Sequence, residues 1–247
     1  MPPSSSSLPS IAVPATADAV VARMPHALWR ASQMAAPRAA VTASGFAPLD
    51  RELPGRGWPA SVLIDLLLPQ PGIGEMQLLR PALQRLARRR VVLLQPPHAP
   101  HAAAWSAWGL PCERLLWVRA AHGADALWSA EQILRNGSCG ALLLWQTQIR
   151  AEALRRLHLA AQGSDTTLWL LRPLAQAADA SPAALRLALR PAPGGVRVEF
   201  VKRRGPPAAA PLLVPLPGFI SRNPDAAPVD GGAPAVAAAG SLAPALV

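Results

Sequence analysis

Residues 61–86, SVLIDLLLPQPGIGEMQLLRPALQRL, constrain the chain more than any other stretch. A nearly unbroken apolar run enters a Pro- and Gly-rich turn, and apolar residues at helical spacing follow. Such a run suits a strand buried on both faces of a sheet. Strand, loop and helix in this order frame the phosphate-binding pattern G-x-x-x-x-G-K-[ST], whose glycine backbone cradles phosphates, whose Lys neutralises them and whose hydroxyl holds Mg²⁺. Here the register places Pro69, Gly74, Glu75 and Met76 at the signature positions, with Gly72 inside the turn. Only the second signature glycine survives, and a carboxylate stands where the cation belongs. At an effective dielectric of ~20, exchanging attraction for repulsion between charges ~4 Å apart moves the local energy by several kcal/mol. The loop is not expected to hold ATP in the usual way. An ordinary strand-to-helix turn is the other reading of these residues.

A chain of 247 residues can bury one sizeable core with appendages. Its 29 prolines concentrate toward both ends, where Ala, Pro, Ser and Gly dominate. Such stretches bury too little apolar surface to offset chain entropy. The expected organisation is a disordered tail over 1–22, a docking helix and linker over 23–40 carrying Trp29, a core domain over 41–205, and a Pro/Ala-rich disordered tail over 206–247. Within that last tail PLLVPLPGFI is the one sizeable apolar cluster, so Leu212, Leu213 and Phe219 are candidate partner contacts.

The formal charge of +10 is almost all arginine, since Lys202 is the only lysine. This points weakly to nucleic acid or an acidic protein partner. Cys112 and Cys139 have neither the number nor the spacing of a disulfide framework or metal site, and are expected to be reduced core thiols. His98, His101, His122 and His158 are not spaced as ligands, so no metal is expected. The eight tryptophans mostly fall in apolar strands or helix stripes, which favours core packing. With no basic n-region, no long apolar h-region and no run of about 20 apolar residues, the expected location is cytoplasmic, away from membranes.

After the loop, Met76, Leu79, Leu83 and Leu86 predict a helix, and the strand–helix pattern then repeats. VVLLQ, LLWV, ALLLW and TTLWLL read as strands, while AAAWSAWG, GADALWSAEQILRNG and IRAEALRRLHLAAQ read as helices, the second closed by Gly137. Apolar strands alternating with amphipathic helices predict a parallel sheet covered on both faces. The ending, LRLALRPAPGGVRVEFVKRRG, alternates about a PAPGG turn and predicts an antiparallel hairpin.

With those pieces placed, residues 41–205 resemble a RecA-like core. LWRASQ, LLLPQPGIGE, ALWSAEQ, SPAALRLALRP and VKRRG resemble, in order, the pattern of the bacterial ImuA family associated with translesion DNA synthesis. The resemblance implies a mainly parallel sheet ending in an antiparallel hairpin. It also places Pro97 where a recombinase carries its catalytic glutamate and Trp145 where it carries the acid that organises Mg²⁺. Phosphoryl transfer depends on positioned charge, so a chain without these groups is not expected to be an enzyme or to need a cofactor. The interval RPLAQAADASPAA, which in a recombinase is a long DNA-gripping loop, is short and has no stacking platform. Contact with DNA is therefore expected to be indirect. Lys202 and Arg204 align with two cations that recombinases place against a neighbour's nucleotide, a solvated strand end being the plainer reading.

The resemblance thus implies a non-catalytic adapter in SOS-associated mutagenic repair, linking RecA to an assembly of ImuB and an error-prone C-family DNA polymerase. An active RecA-like, DNA-dependent ATPase is one alternative, opposed by the missing lysine and acids. A SulA-like inhibitor of cell division is another, raised because that family shares the degenerate core and opposed by the fuller chain with its final hairpin and Pro-rich tail.

Overall fold

The computed structural model describes residues 40–205 and 210–217, in a compact unit beginning at Val41. The predicted segment 1–22, nearly all of 23–40 with Trp29, and Phe219 lie outside the described residues. A short strand β1 (Val41–Thr42), helix α1 (Ala47–Glu52) and strand β2 (Trp58–Pro59) precede the central strand β3 (Leu63–Leu68) and helix α2 (Glu75–Leu86). Strand β4 (Arg90–Leu94), α3 (Ala102–Ala107), β5 (Leu115–Val118), α4 (Gly123–Asn136), β6 (Cys139–Trp145), α5 (Ala151–Gln162) and β7 (Thr167–Pro173) follow. The chain then forms β8 (Leu185–Ala192), β9 (Gly195–Lys202) and β10 (Leu212–Pro215).

Eight of these strands make one sheet in the order β10-β9-β8-β3-β7-β6-β4-β5, and β1 pairs with β2 in a separate ribbon. Strands β8, β3, β7, β6, β4 and β5 run parallel, while β8–β9 and β9–β10 are antiparallel. This is the mixed fold expected from the sequence: a mainly parallel sheet, helices on both faces and a terminal hairpin.

The alternation of side chains along the strands sorts the core into two layers. On one face Ile64, Leu66, Leu143 and Trp169 pack under Leu78, Leu79 and Leu83 of α2, and Trp169 meets Trp58 edge to face at 5.8 Å. On the other face Leu63, Leu142, Leu144 and Leu168 pack under Ala130 and Leu134 of α4 and Leu154 and Leu157 of α5. Gly137 closes α4 at φ 63°, a left-handed conformation that glycine takes without steric cost. Arg156 of α5 donates to Glu131 of α4 at 2.9 Å, joining these helices above the sheet.

One predicted boundary is corrected. The core does not end at residue 205, because β10 returns to pair with β9 in the register Val214↔Val196. Val214 and Leu216 are buried in the first layer, Leu212 packs partly against it and Leu213 faces solvent. Alternation within LLVPL decides this: a tail with inward-facing residues at every second position can add a strand to an open edge. Gly195 permits the approach, since a Cβ there would lie 2.1 Å from the Val214 carbonyl oxygen. The tryptophans also divide. Trp58, Trp105 and Trp169 are buried as expected, whereas Trp117 on β5 and Trp128 on α4 are exposed. Among the described residues no helix is long and apolar enough to cross a membrane.

Candidate functional site

The predicted loop leaves β3 at Leu68 and enters α2 at Glu75, at the C-terminal end of the parallel strands. Gly72 and Gly74 hold φ values of 87° and 106°, so both turn positions use the left-handed backbone that glycine supplies. Glu75 opens the helix, where a carboxylate also complements the positive end of the helix dipole. Its side chain folds back into the loop: Oε1 accepts the Gly72 N–H at 2.7 Å, and the residue is only 3% exposed. The backbone donor that a phosphate would seek is thus satisfied by the chain's own carboxylate. Met76, at the position of the Mg²⁺-binding hydroxyl, packs against the first core layer.

The two positions assigned to lost acids lie close by. Pro97 follows β4, Trp145 ends β6, and both line two adjoining cavities beside the loop. The first, of about 220 Å³, is walled by Glu75, Pro97, Trp105, Trp108 and Trp145, with His98 and His101 also along it. The second, of about 300 Å³, includes Pro69, Gln95, Trp145, Thr147 and Arg172. Glu75 Oε2 and Trp145 Nε1 are buried without a hydrogen-bond partner. Pro69 and Gly72 are exposed at the loop surface.

Lys202 and Arg204 are not brought to this site. Lys202 pairs in register with Arg186 at the start of β8, toward the N-terminal ends of the parallel strands and away from the loop. Its Nζ donates to the Ser181 carbonyl at 3.0 Å, while Arg204 is exposed. Between them, Arg203 pairs with Glu52 of α1 at 2.6 Å and lies over the Phe200 ring.

A buried charge cluster went unread in the sequence. Asp65, in the middle of β3 and 0% exposed, accepts from Arg172 Nε at 2.9 Å and Nη2 at 2.5 Å, and from Arg186 Nε at 3.0 Å. Arg186 also donates to the carbonyls of Gln176, Ala177 and Asp179. The short connection from β7 to β8 is thereby fastened over the central strand, and Gln176 Nε2 adds a bond to the Thr147 carbonyl. One signal was available: a lone acid inside LIDLLL must find a partner if the strand is buried on both faces.

Cys139 is buried, and desolvation pushes its thiol above the ordinary range against a smaller opposing contact with Thr166. Cys112 is half-buried. Burial first, and the nearby Lys202 charge second, lower the His158 pKa below its usual value. Among the described residues no group of three or more His, Cys, Asp or Glu is placed to hold a metal ion.

No protein-family model matches the chain. Over 98 residues it is 31% identical to a protein named cell division inhibitor SulA from Edwardsiella piscicida, a match covering 39% of this chain. The chain spans 58% of that relative's length. Among solved structures, SulA from Pseudomonas aeruginosa aligns at 27% identity and a TM-score of 0.39, covering 47% of this chain and 99% of that one. Over part of its length, then, the chain is similar to SulA.

Proposed function

We propose that this protein is a non-enzymatic adapter of the SOS response, which joins RecA to an ImuB and error-prone C-family polymerase assembly during mutagenic repair. The observation that carries the non-catalytic half is the Glu75 carboxylate seated in its own loop, hydrogen-bonded to Gly72 N–H. A polyanion entering there would meet a fixed negative charge in place of a free donor. Pro97 and Trp145 add apolar walls where hydrolysis needs acids. The fastened β7–β8 connection supports indirect contact with DNA, because the carbonyls that Arg186 holds leave little slack for a segment that would wrap a single strand. The adapter half rests on the ordered ImuA-like motifs, including ALWSAEQ, whose Trp128 is 63% exposed on α4.

The similarity to a cell division inhibitor over 98 residues favours a second reading, arrest of division by a SulA-like core. One pair of measurements separates the two. Deleting the gene should lower damage-induced mutation frequency, and the tagged full chain should co-purify with RecA and ImuB. Filamentous growth on overexpression, with unchanged mutation frequency in the deletion strain, would instead establish the division inhibitor. Micromolar binding of ATP by the purified protein would overturn the non-catalytic reading.

A further inference from the structure

We infer that the surface around the C-terminal end of α4 receives a short segment of a protein partner in which carboxylates stand between two apolar side chains. Two grooves adjoin there, and Arg135, in the last turn of α4, lines both. One, of about 500 Å³, is lined from α4, β4 and β5, with Leu116 and Ile133 as its apolar wall and Arg90 at the start of β4. The other, of about 340 Å³, is lined from α4 and α5, with Leu159 and Ala160 beside Arg156. Arg90 and Arg135 are exposed, and neither makes an ion pair among the described residues. No acid lines either groove. Glu131, one turn before Arg135, is taken by Arg156 at 2.9 Å, so its charge is already answered.

Charge and exposure together select the occupant. A chain of net charge +10 repels a second copy of itself, whereas two exposed guanidiniums without counter-ions attract carboxylates or phosphates. The apolar walls decide between those. Leu116 and Leu159 are 39% and 60% exposed, large apolar side chains that a sugar–phosphate backbone would leave wet and that apolar residues of a peptide would bury. The row of cations that a duplex would need is also interrupted, because Arg89 donates to the Gly137 carbonyl and Arg156 to Glu131. The Arg89 bond further blunts the negative end of α4, which would otherwise oppose an anion. Arg135 stands between the two apolar walls, so the partner's carboxylates fall between its apolar side chains. An extended peptide advances ~3.3 Å per residue, so apolar residues three positions apart span ~10 Å, the width of one helix.

The full-length chain, without RecA or ImuB, is titrated into fluorescein-labelled Gly-Ser-Leu-Glu-Glu-Leu-Ser-Gly-amide, into its uncharged Leu-Gln-Gln-Leu isostere and into a labelled DNA duplex, following anisotropy. The acidic peptide should bind about tenfold more tightly than the isostere, and Arg135→Gln should remove most of that preference. Arg155→Gln deletes the same charge at an exposed position that lines neither groove, and should change binding less than about twofold. Leu159→Ser should weaken both peptides several-fold and keep the charge preference. All three positions are exposed, so each variant should retain the parent's urea midpoint. No binding up to about 1 mM peptide, equal binding of the two peptides, or equal losses from Arg135→Gln and Arg155→Gln overturns the inference. Duplex binding that falls with Arg135→Gln but not with Leu159→Ser would assign the surface to nucleic acid and overturn it as well. A concentration-dependent sedimentation shift abolished by Arg135→Gln would name a second copy as the occupant, with the same consequence. A failed titration leaves the adapter reading standing, and a chain that does not co-purify with RecA leaves the peptide surface standing.

Discussion

Asp65 and Glu75 are both carboxylates withdrawn from solvent next to the same central strand, yet their surroundings answer their charge differently. Asp65 receives three hydrogen bonds from two guanidiniums, one of which also gathers three carbonyls of the β7–β8 connection. Glu75 receives one backbone N–H, and its second oxygen is buried without a partner. The first acid is consumed by the fold: every contact it makes joins parts of the chain to each other. The second is only half used by the fold. Burial alone therefore does not tell how fully a charge is tied into the fold.

The largest effect should come from Asp65→Ala. Removing one partner of a buried ion cluster leaves its other members uncompensated, and a loss of about 3–5 kcal/mol is expected, read from equilibrium urea unfolding. A loss under about 1 kcal/mol would mean that the cluster does not hold the three strands together. Glu75→Ala should cost less, about 1–2 kcal/mol, because it frees one loop N–H and removes a favourable charge from a helix start. Glu75→Gln should stay within about 0.5 kcal/mol of the parent, since its amide oxygen can replace Oε1. If Glu75→Ala proves as damaging as Asp65→Ala, the two acids are alike and the contrast between them fails.

The smallest expected effect tests the Asp65 side by pH. His158 lies near Lys202, which is itself tied to Ser181 of the fastened connection. Its folded pKa is lowered, first by burial and then by that charge. Above the unfolded value of about 6.5 both states are neutral and the residue adds no pH dependence. As pH falls below it, the unfolded chain takes up the proton more readily, so stability declines with acid. Urea midpoints between about pH 7 and pH 5 should fall more steeply for the parent than for His158→Gln. Parallel profiles would mean that neither burial nor the Lys202 charge lowers the His158 pKa in the folded chain.

Much of the framework was legible residue by residue. LIDLLL, ALLLW and TTLWLL are buried strands, Gly137 ends its helix, and PAPGG turns the hairpin, because each depends on periodicity or turn chemistry within a short window. The return of β10 was not legible in the same way. Composition marks 206–247 as a poor core former, but an open sheet edge accepts a few alternating residues whatever surrounds them. At the candidate site, the loss of lysine and hydroxyl at Glu75 and Met76 was visible from spacing alone. What replaced them was not.

By itself the sequence determined the order and type of the elements from β3 to β9 and the chemistry missing from the loop, since local spacing sets both helix or strand period and motif register. Only the tertiary structure decided which charges meet. Asp65 finds Arg172 and Arg186 across 107 and 121 residues of chain, a pairing set by the register of β3 between β7 and β8. Glu75 finds the Gly72 N–H because two left-handed glycines fold the loop back over the helix start. Trp105, Trp108 and Trp145 converge on one cavity because the segment from β4 into α3 and the end of β6 both lie at the C-terminal ends of the parallel strands. Electrostatic and aromatic contacts act through space over a few ångströms, so their partners follow from the packing of distant segments and not from their spacing along the chain.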